Sequence, residues 1–381
     1  MRTLLHDGSK SRRALMKMRA AVLAGIGKKF EIKEIEIAPP KRNEVLVKIK
    51  ATGLCASDLN AVDGKRNLVP FPAVIGHEAA GIVQEVGENV SNVSVGDHVI
   101  ISIVPNCGKC KYCQIGQPNF CSTAGDAMGV GGLFDGTSRL SLNGEKINQF
   151  LCVASFAEYA VVPDSGIIKI NKEMPLDRAA LISCAVLTGY GAVVNTAKVK
   201  PKSTVAVFGC GGVGLNTIQA AKIVGASHII AVDITEDKLE LAKTFGATHV
   251  INSKNSDPVK SIKDLTGGVD CAFEALGKEE TIQAAWKSVG AFGQLTLVGL
   301  MKHGATLTID AGPFVNEQSI KGCYFGSSNI KTDVPMLVEN YMNKKLKLDE
   351  LITSRIKLEE LDVAFERLRQ GEGARNVIVF E

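Results

Sequence analysis

Cys107, Cys110, Cys113 and Cys121 lie within PNCGKCKYCQIGQPNFC, separated by two, two and seven residues. Thiolates at that spacing can close one tetrahedral zinc site with no open position, which staples a lobe and runs no reaction. The regular spacing argues against unrelated core thiols or disulfides. Three further segments each set a ligand-type side chain near glycine: Cys55 in GLCASD, His77 in IGHEAAG and Cys184 in ISCAVLTGYG. Singly, each is an ordinary buried thiol or core histidine. Together, two cysteines and a histidine form a set that leaves zinc a fourth position for water or substrate. Two thiolates and a neutral imidazole cancel the charge of the dication, so one more anion, such as an alkoxide, can be held. Zinc lowers the pKa of bound water to about 7 in a favourable site, and an alcohol bound through oxygen should respond similarly and release hydride.

A second constellation follows the run TVAVF: Gly209, Cys210, Gly211, Gly212, Val213 and Gly214, then the helix-forming NTIQAAKIV. Gly209 permits a tight turn, Gly211 lets the backbone approach a pyrophosphate, and Gly214 allows close packing of helix on strand. The helix N-terminus then faces the phosphates. The next apolar run, HIIAV, ends in Asp233, 19 residues after Gly214, where a carboxylate can accept the adenosine ribose hydroxyls. No arginine follows in ITEDK to accommodate a 2′-phosphate, so NAD is expected over NADP. Lys238 can reach the same ribose, but its spacing suits a solvated helix lysine equally well. Cys210 has no expected role.

The elements that must position these residues are legible as pattern. From Lys28 to about Asp97 short alternating runs, FEIKEIEI and EVLVKIKATG, with turns expected at Gly76, Gly81, Gly87 and Gly96, indicate a β-rich lobe. After Asn195, the apolar runs TVAVF, HIIAV, HVIN, VDCAFEAL and QLTLVG alternate with helical segments such as EDKLELAKTF and KEETIQAAWKSV. That alternation requires a parallel sheet with crossovers. The tail carries two amphipathic segments, DVPMLVENYMNKKL and LEELDVAFERLRQ, and a last strand, NVIVFE, expected to return to the first lobe.

Ten cysteines and no apolar signal segment fit a reducing compartment, where thiols serve metals more often than disulfides. The net charge is +4, but residues 1–19 hold six basic side chains against one acid, so the remainder is nearly neutral. It therefore presents no basic face for nucleic acid or membrane. The basic leader reads as a transit peptide or, preferably, as an overhang before a start near Met16 or Met18. Residues 179–197 carry no charge. Their polar and glycine content, and their isolation in the chain, indicate a buried helix between two domains instead of a bilayer span.

GHE, the four-cysteine segment, GCGGVG and the closing GARNVIVF occur in the order found in the zinc-dependent medium-chain alcohol dehydrogenases, which the chain resembles from Met18 to Glu381. FDGTSRLSLNGEKINQF resembles the branch holding the animal liver enzymes and the glutathione-dependent formaldehyde dehydrogenases. The resemblance implies an α/β fold: a doubly wound parallel-sheet (Rossmann) domain for NAD over 187–324, and a β-rich GroES-like catalytic domain over 1–186 and 325–381, with 1–17 a leader. It implies two zinc ions per chain, the catalytic one on Cys55, His77 and Cys184, with Glu78 behind the metal and Asp58 orienting His77. Ser57 would relay the substrate proton, Thr188 would touch the nicotinamide and Arg375 the pyrophosphate. Ile103, Phe150, Leu151 and Tyr324 would line an apolar channel.

Two positions depart from the family pattern. Asn60 stands where many relatives end the proton relay with histidine, and an amide accepts no proton at neutral pH; water or another base must take over. Ala56 stands where a basic residue often meets the phosphates. The implied reaction is NAD-linked interconversion of medium-sized aliphatic, allylic or aromatic primary alcohols and aldehydes, through a zinc-bound alkoxide and hydride transfer. The rivals are oxidation of S-(hydroxymethyl)glutathione, which Lys65 and Arg66 oppose by charge, and a catalytically silent NAD-binding relative. A cytoplasmic homodimer joined through the nucleotide-domain sheet is expected, with no nucleic acid or membrane partner.

Overall fold

The structure is a computed structural model and describes residues 14–381. Residues 1–13 of the expected leader lie outside the described residues. Its last two positions do not belong to a leader: Met16 and Lys17 open the strand Met16–Leu23 and pair with Ile37 and Glu36.

Among the described residues, the strands form two β assemblies and one parallel sheet. Strands Met16–Leu23, Phe30–Ile37, Leu140–Leu142, Glu145–Gln149 and Ala73–Val74 close a small barrel. Beside it runs a seven-stranded sheet in the order Ile167–Lys169, His98–Ile101, Glu78–Val86, Glu44–Gly53, Arg375–Val379, Ile352–Ile356, with Tyr159–Pro163 also on Glu44–Gly53. The chain's last strand thus returns to the first lobe, antiparallel to Glu44–Gly53.

The third assembly is a six-stranded parallel sheet in the order His249–Asn252, His228–Asp233, Thr204–Phe208, Val269–Glu274, Val289–Leu297, Ser319–Gly322. This is the doubly wound order, with its switch point between Thr204–Phe208 and Val269–Glu274. Its central strand TVAVF is buried from Val205 onward because helices cover both faces, which is why it reads as an unbroken apolar run.

Between the lobes runs a helix, Leu176–Ala197, which widens to π-type turns at Ile182–Val186 and Ala192–Ala197. By length and composition it could cross a membrane, but 83% of its most apolar window is buried inside the protein. Its two glycines are close-approach points. A Cβ on Gly189 would lie 2.5 Å from the carbonyl oxygen of Val213 at the start of the dinucleotide helix, and one on Gly191 would lie 2.2 Å from that of Gly326.

The glycine turn holds at Gly96, φ +83°, whereas Gly76, φ +91°, lies in the link between Ala73–Val74 and Glu78–Val86, where a Cβ would stand 2.3 Å from the Phe156 ring. Gly81 is not a turn. It sits inside the strand Glu78–Val86, where a Cβ would lie 2.2 Å from the carbonyl oxygen of Lys48 on the neighbouring strand. Gly87 likewise answers to crowding, against the Lys41 carbonyl. Gly81→Ala should therefore destabilise the catalytic lobe by roughly 1–3 kcal/mol, as overpacked sites do. Urea unfolding should show a lower midpoint at unchanged slope.

Candidate active site

The ends of two antiparallel strands deliver the first ligands. Gly53, last in Glu44–Gly53, pairs with Glu78, first in Glu78–Val86. Cys55 follows one strand and caps the helix Ala56–Val62, while His77 precedes the other. A Cβ on Gly53 would stand 2.5 Å from Glu78 Oε2, so glycine there makes room for the carboxylate. Cys184 arrives from the π-type turn Ile182–Val186, a widened geometry common at functional sites. The ligand atoms of Cys55, His77, Glu78 and Cys184 all lie within 4.8 Å of one another, and all four residues are buried.

Asp58 fixes this group twice. Its Oδ1 is 2.8 Å from His77 Nδ1, and its Oδ2 accepts the Cys55 backbone N–H at 2.9 Å. With Nδ1–H donated to the carboxylate, Nε2 carries the free lone pair. That atom, and both Glu78 oxygens, are buried with no hydrogen-bond partner. A bond to Cys184 pulls the Cys55 thiol pKa well down and pushes that of Cys184 well up. Burial opposes a charged His77, but the Asp58 carboxylate outweighs it and raises the imidazole's pKa. Burial lifts Glu78 to about 8. Buried lone pairs and thiols converging within one dry volume fit a thiophilic dication, with zinc's donor set of two cysteines and one histidine and with Glu78 in reserve.

Cys107, Cys110, Cys113 and Cys121 form the second cluster, their sulfurs also within 4.8 Å of one another. Backbone N–H groups of Cys107 and Cys110 point at the sulfurs of Cys121 and Cys107, each at 3.3 Å. Backbone hydrogen bonds, led by that of Cys113, pull the Cys110 thiol down to about 5, and burial pushes Cys113 up to about 12. Among the described residues no other metal-ligating side chain joins this cluster, as a closed four-thiolate site requires.

The dinucleotide loop joins the strand Thr204–Phe208 to the helix Gly212–Ile223. Gly209 has φ +97°, and a Cβ on Gly214 would lie 1.8 Å from the Gly209 carbonyl oxygen, so both are bound to be glycine. Gly211, the N-cap, faces open space. Arg375 lies over the helix N-terminus, its guanidinium carbon 2.3 Å from where a Gly212 Cβ would be, and its Nε is 3.5 Å from Glu78 Oε2. One arginine thereby touches both the phosphate loop and the metal cluster, a link the spacing of the sequence does not reveal.

Asp233 ends its strand as expected but has a second task. Its carboxylate accepts N–H groups from Cys210 at 2.8 Å, Ile234 at 2.8 Å and Thr235 at 3.1 Å, leaving about one of its four lone pairs for a ribose hydroxyl. Val213 is half-buried in the first turn of the loop's helix, and Lys238 Nζ lies over Gly371 at the same cleft.

Ser57 and Asn60 are on the helix that Cys55 caps, Asn60 half-buried and Ser57 placing its hydroxyl 3.8 Å from Cys55 Sγ. Thr188 is half-buried on the inter-lobe helix. Ile103, Phe150 and Leu151 are buried, and the Phe150 ring meets His77 edge-on at 5.8 Å. Tyr324 is 40% exposed and packs on Phe120 of the four-cysteine lobe at 5.2 Å.

This geometry agrees with what the chain is similar to. An alcohol dehydrogenase GroES-like domain matches residues 41–172 and a zinc-binding dehydrogenase domain residues 212–340. A zinc-binding-domain alcohol dehydrogenase protein from Burkholderia ambifaria superposes with a TM-score of 0.92 at 35% identity, over 97% of this chain and 100% of that one. Benzyl alcohol dehydrogenase from Acinetobacter calcoaceticus gives 0.91 at 38% identity, over 96% and 100%. A zinc-binding dehydrogenase from Sinorhizobium meliloti 1021, solved with NADP, gives 0.79 at 25%, over 96% and 100%. The chain belongs to the zinc-dependent medium-chain alcohol dehydrogenase family, and it is an oxidoreductase of that family.

Asp58→Asn keeps the shape but removes the charge behind His77. Zinc retention against a chelator should weaken by roughly 10–100-fold, the usual cost of losing a partner behind a metal-bound histidine.

Proposed function

We propose that the protein interconverts medium-sized primary alcohols, aromatic and allylic ones included, with their aldehydes, using NAD and two zinc ions per chain. The observation that carries this reading is the buried, unpartnered His77 Nε2 facing Cys55, Cys184 and Glu78, one arginine away from a dinucleotide loop. In it, residues 16–186 and 325–381 form the catalytic lobe and 187–324 the nucleotide domain. Cys55, His77 and Cys184 would hold the reactive zinc, and Cys107, Cys110, Cys113 and Cys121 the structural one. When bound, the reactive zinc supplies Lewis acidity that makes an alcohol's proton easier to lose.

The chain's own residues do the rest. Ser57, at the open side of Cys55, takes the substrate proton and passes on its own. Asn60 offers no base, so the proton continues to water. Arg375 and the N–H groups of Gly211, Gly212 and Val213 hold the diphosphate, Thr188 borders the nicotinamide, and Asp233 with Lys238 holds the adenosine ribose. The negative charge of Asp233 disfavours a 2′-phosphate, although a relative was solved with NADP. Phe150, Ile103 and Leu151 supply an apolar wall, and similarity to a benzyl alcohol dehydrogenase supports an aromatic substrate.

The glutathione route ranks second. The arginine of its FDGTSR signature, Arg139, is 3% exposed and bound to Glu44, so it offers no charge to a peptide. Ser319–Gly322 is one of the two edges of the parallel sheet, and Val315 before it is 86% exposed, which supports pairing of two copies there as a homodimer. We place the protein in the cytoplasm on its thiol-rich, disulfide-free composition.

Assays at 340 nm with ethanol, hexanol, benzyl and cinnamyl alcohols should show turnover with NAD exceeding that with NADP, and two zincs per chain. Polyol-only turnover, or stimulation of formaldehyde oxidation by glutathione, would reverse the substrate ranking; one zinc and no turnover would indicate a silent relative. Ala56→Arg adds a charge-assisted contact to the diphosphate, about 1.5–3 kcal/mol at most. It should tighten NADH binding about tenfold, since 1.4 kcal/mol is a factor of ten; an unchanged dissociation constant in fluorescence titration would refute the contact.

A further inference from the structure

Phe150, whose ring faces His77, begins a turn with an unusual backbone. Leu151, Cys152 and Ala154 have φ of 51°, 58° and 59°, three non-glycine residues in the left-handed region within four positions. Such a backbone persists only where the surroundings over-determine it, and it concentrates at functional sites. The Phe150 carbonyl closes the turn, accepting the N–H groups of Val153 at 2.9 Å and Ala154 at 3.0 Å.

Immediately before this turn stands Gln149, a fully buried amide at the end of the strand Glu145–Gln149. Its Oε1 accepts the Arg139 backbone N–H at 2.7 Å and the Ser138 hydroxyl at 3.3 Å. Its Nε2 donates to the Val161 carbonyl at 3.1 Å, and its backbone N–H to Gly131 at 2.9 Å. Arg139 is itself immobile: its guanidinium grips both oxygens of Glu44, Asp135 at 2.9 Å and the Thr137 carbonyl at 3.2 Å. Gln149 also pairs with Val74, three residues before His77. The FDGTSR loop, through the side chain, and the strand Ala73–Val74 that leads to His77, through the backbone, therefore converge on one residue immediately before the pocket residues.

We propose that Gln149 is a positioning residue for substrate selectivity, its amide locking the left-handed turn that sets Phe150 and Leu151 beside the metal cluster. A large alcohol presses on more of this wall than ethanol does, so the lock matters more for large ones. The proposal rests on the dehydrogenase reading above.

The test compares kcat/KM for cinnamyl alcohol and for ethanol in the wild type and in Gln149→Met, which keeps length and removes every side-chain hydrogen bond. The ratio should fall about tenfold, the scale of a small misfit in an apolar pocket, through the KM of the larger alcohol. Zinc content and NADH affinity should not change. If both substrates lose activity together and the ratio holds, Gln149 is merely structural and the proposal is wrong. Should Gln149→Met not fold, Ser138→Ala removes one bond to Oε1 and should move the ratio the same way by less; an unchanged ratio there also overturns the proposal. A wild type that turns over neither alcohol would instead overturn the dehydrogenase reading, and this inference with it.

Discussion

Burying Cys55, His77, Glu78 and Cys184 in one dry volume is a cost that the remaining structure must offset. Polar groups in a low-dielectric interior are stable only when satisfied, and here one histidine nitrogen and two carboxylate oxygens lack hydrogen-bond partners, with Arg375 Nε 3.5 Å from one of those oxygens. A dication resolves all of these at once. The fold is arranged to present the four groups to it: two strand ends in register, a glycine that clears space for Glu78, a widened helical turn and one buried aspartate behind the histidine.

Arg375 extends that constraint to the cofactor. It comes from the last strand of the catalytic sheet, approaches Glu78 on one side and covers Gly212 on the other. A side chain larger than hydrogen at 212 would collide with it, so the phosphate loop's glycine serves the arginine as well as the backbone. The inter-lobe helix makes a parallel demand, because Gly189 lets it press on the start of the dinucleotide helix. Metal cluster and nucleotide loop are thus neighbours through tight backbone approaches.

Much of this was legible in the sequence for definite reasons. Zinc spacing is local, so the four cysteines declared themselves; the fully buried parallel strands betrayed themselves as apolar runs, and Asp233 by its distance from Gly214. Other features depend on contacts distant in sequence. Gly81 reads like a turn because its reason, the Lys48 carbonyl, lies on another strand. Met16 and Lys17 read as leader because their pairing with Ile37 and Glu36 has no local signature. Gln149 is polar at the end of a strand, and nothing near it in sequence announces that its buried amide makes three hydrogen bonds.

X-ray absorption at the zinc edge of the purified protein tests the central claim most directly. One closed site of four thiolates, and one site of two thiolates and an imidazole completed by an oxygen ligand, predict an average of about three sulfurs near 2.3 Å and about one nitrogen or oxygen near 2.0–2.1 Å per zinc. A spectrum showing sulfur alone, with one zinc per chain, would contradict the reading of Cys55, His77 and Cys184 as a metal centre.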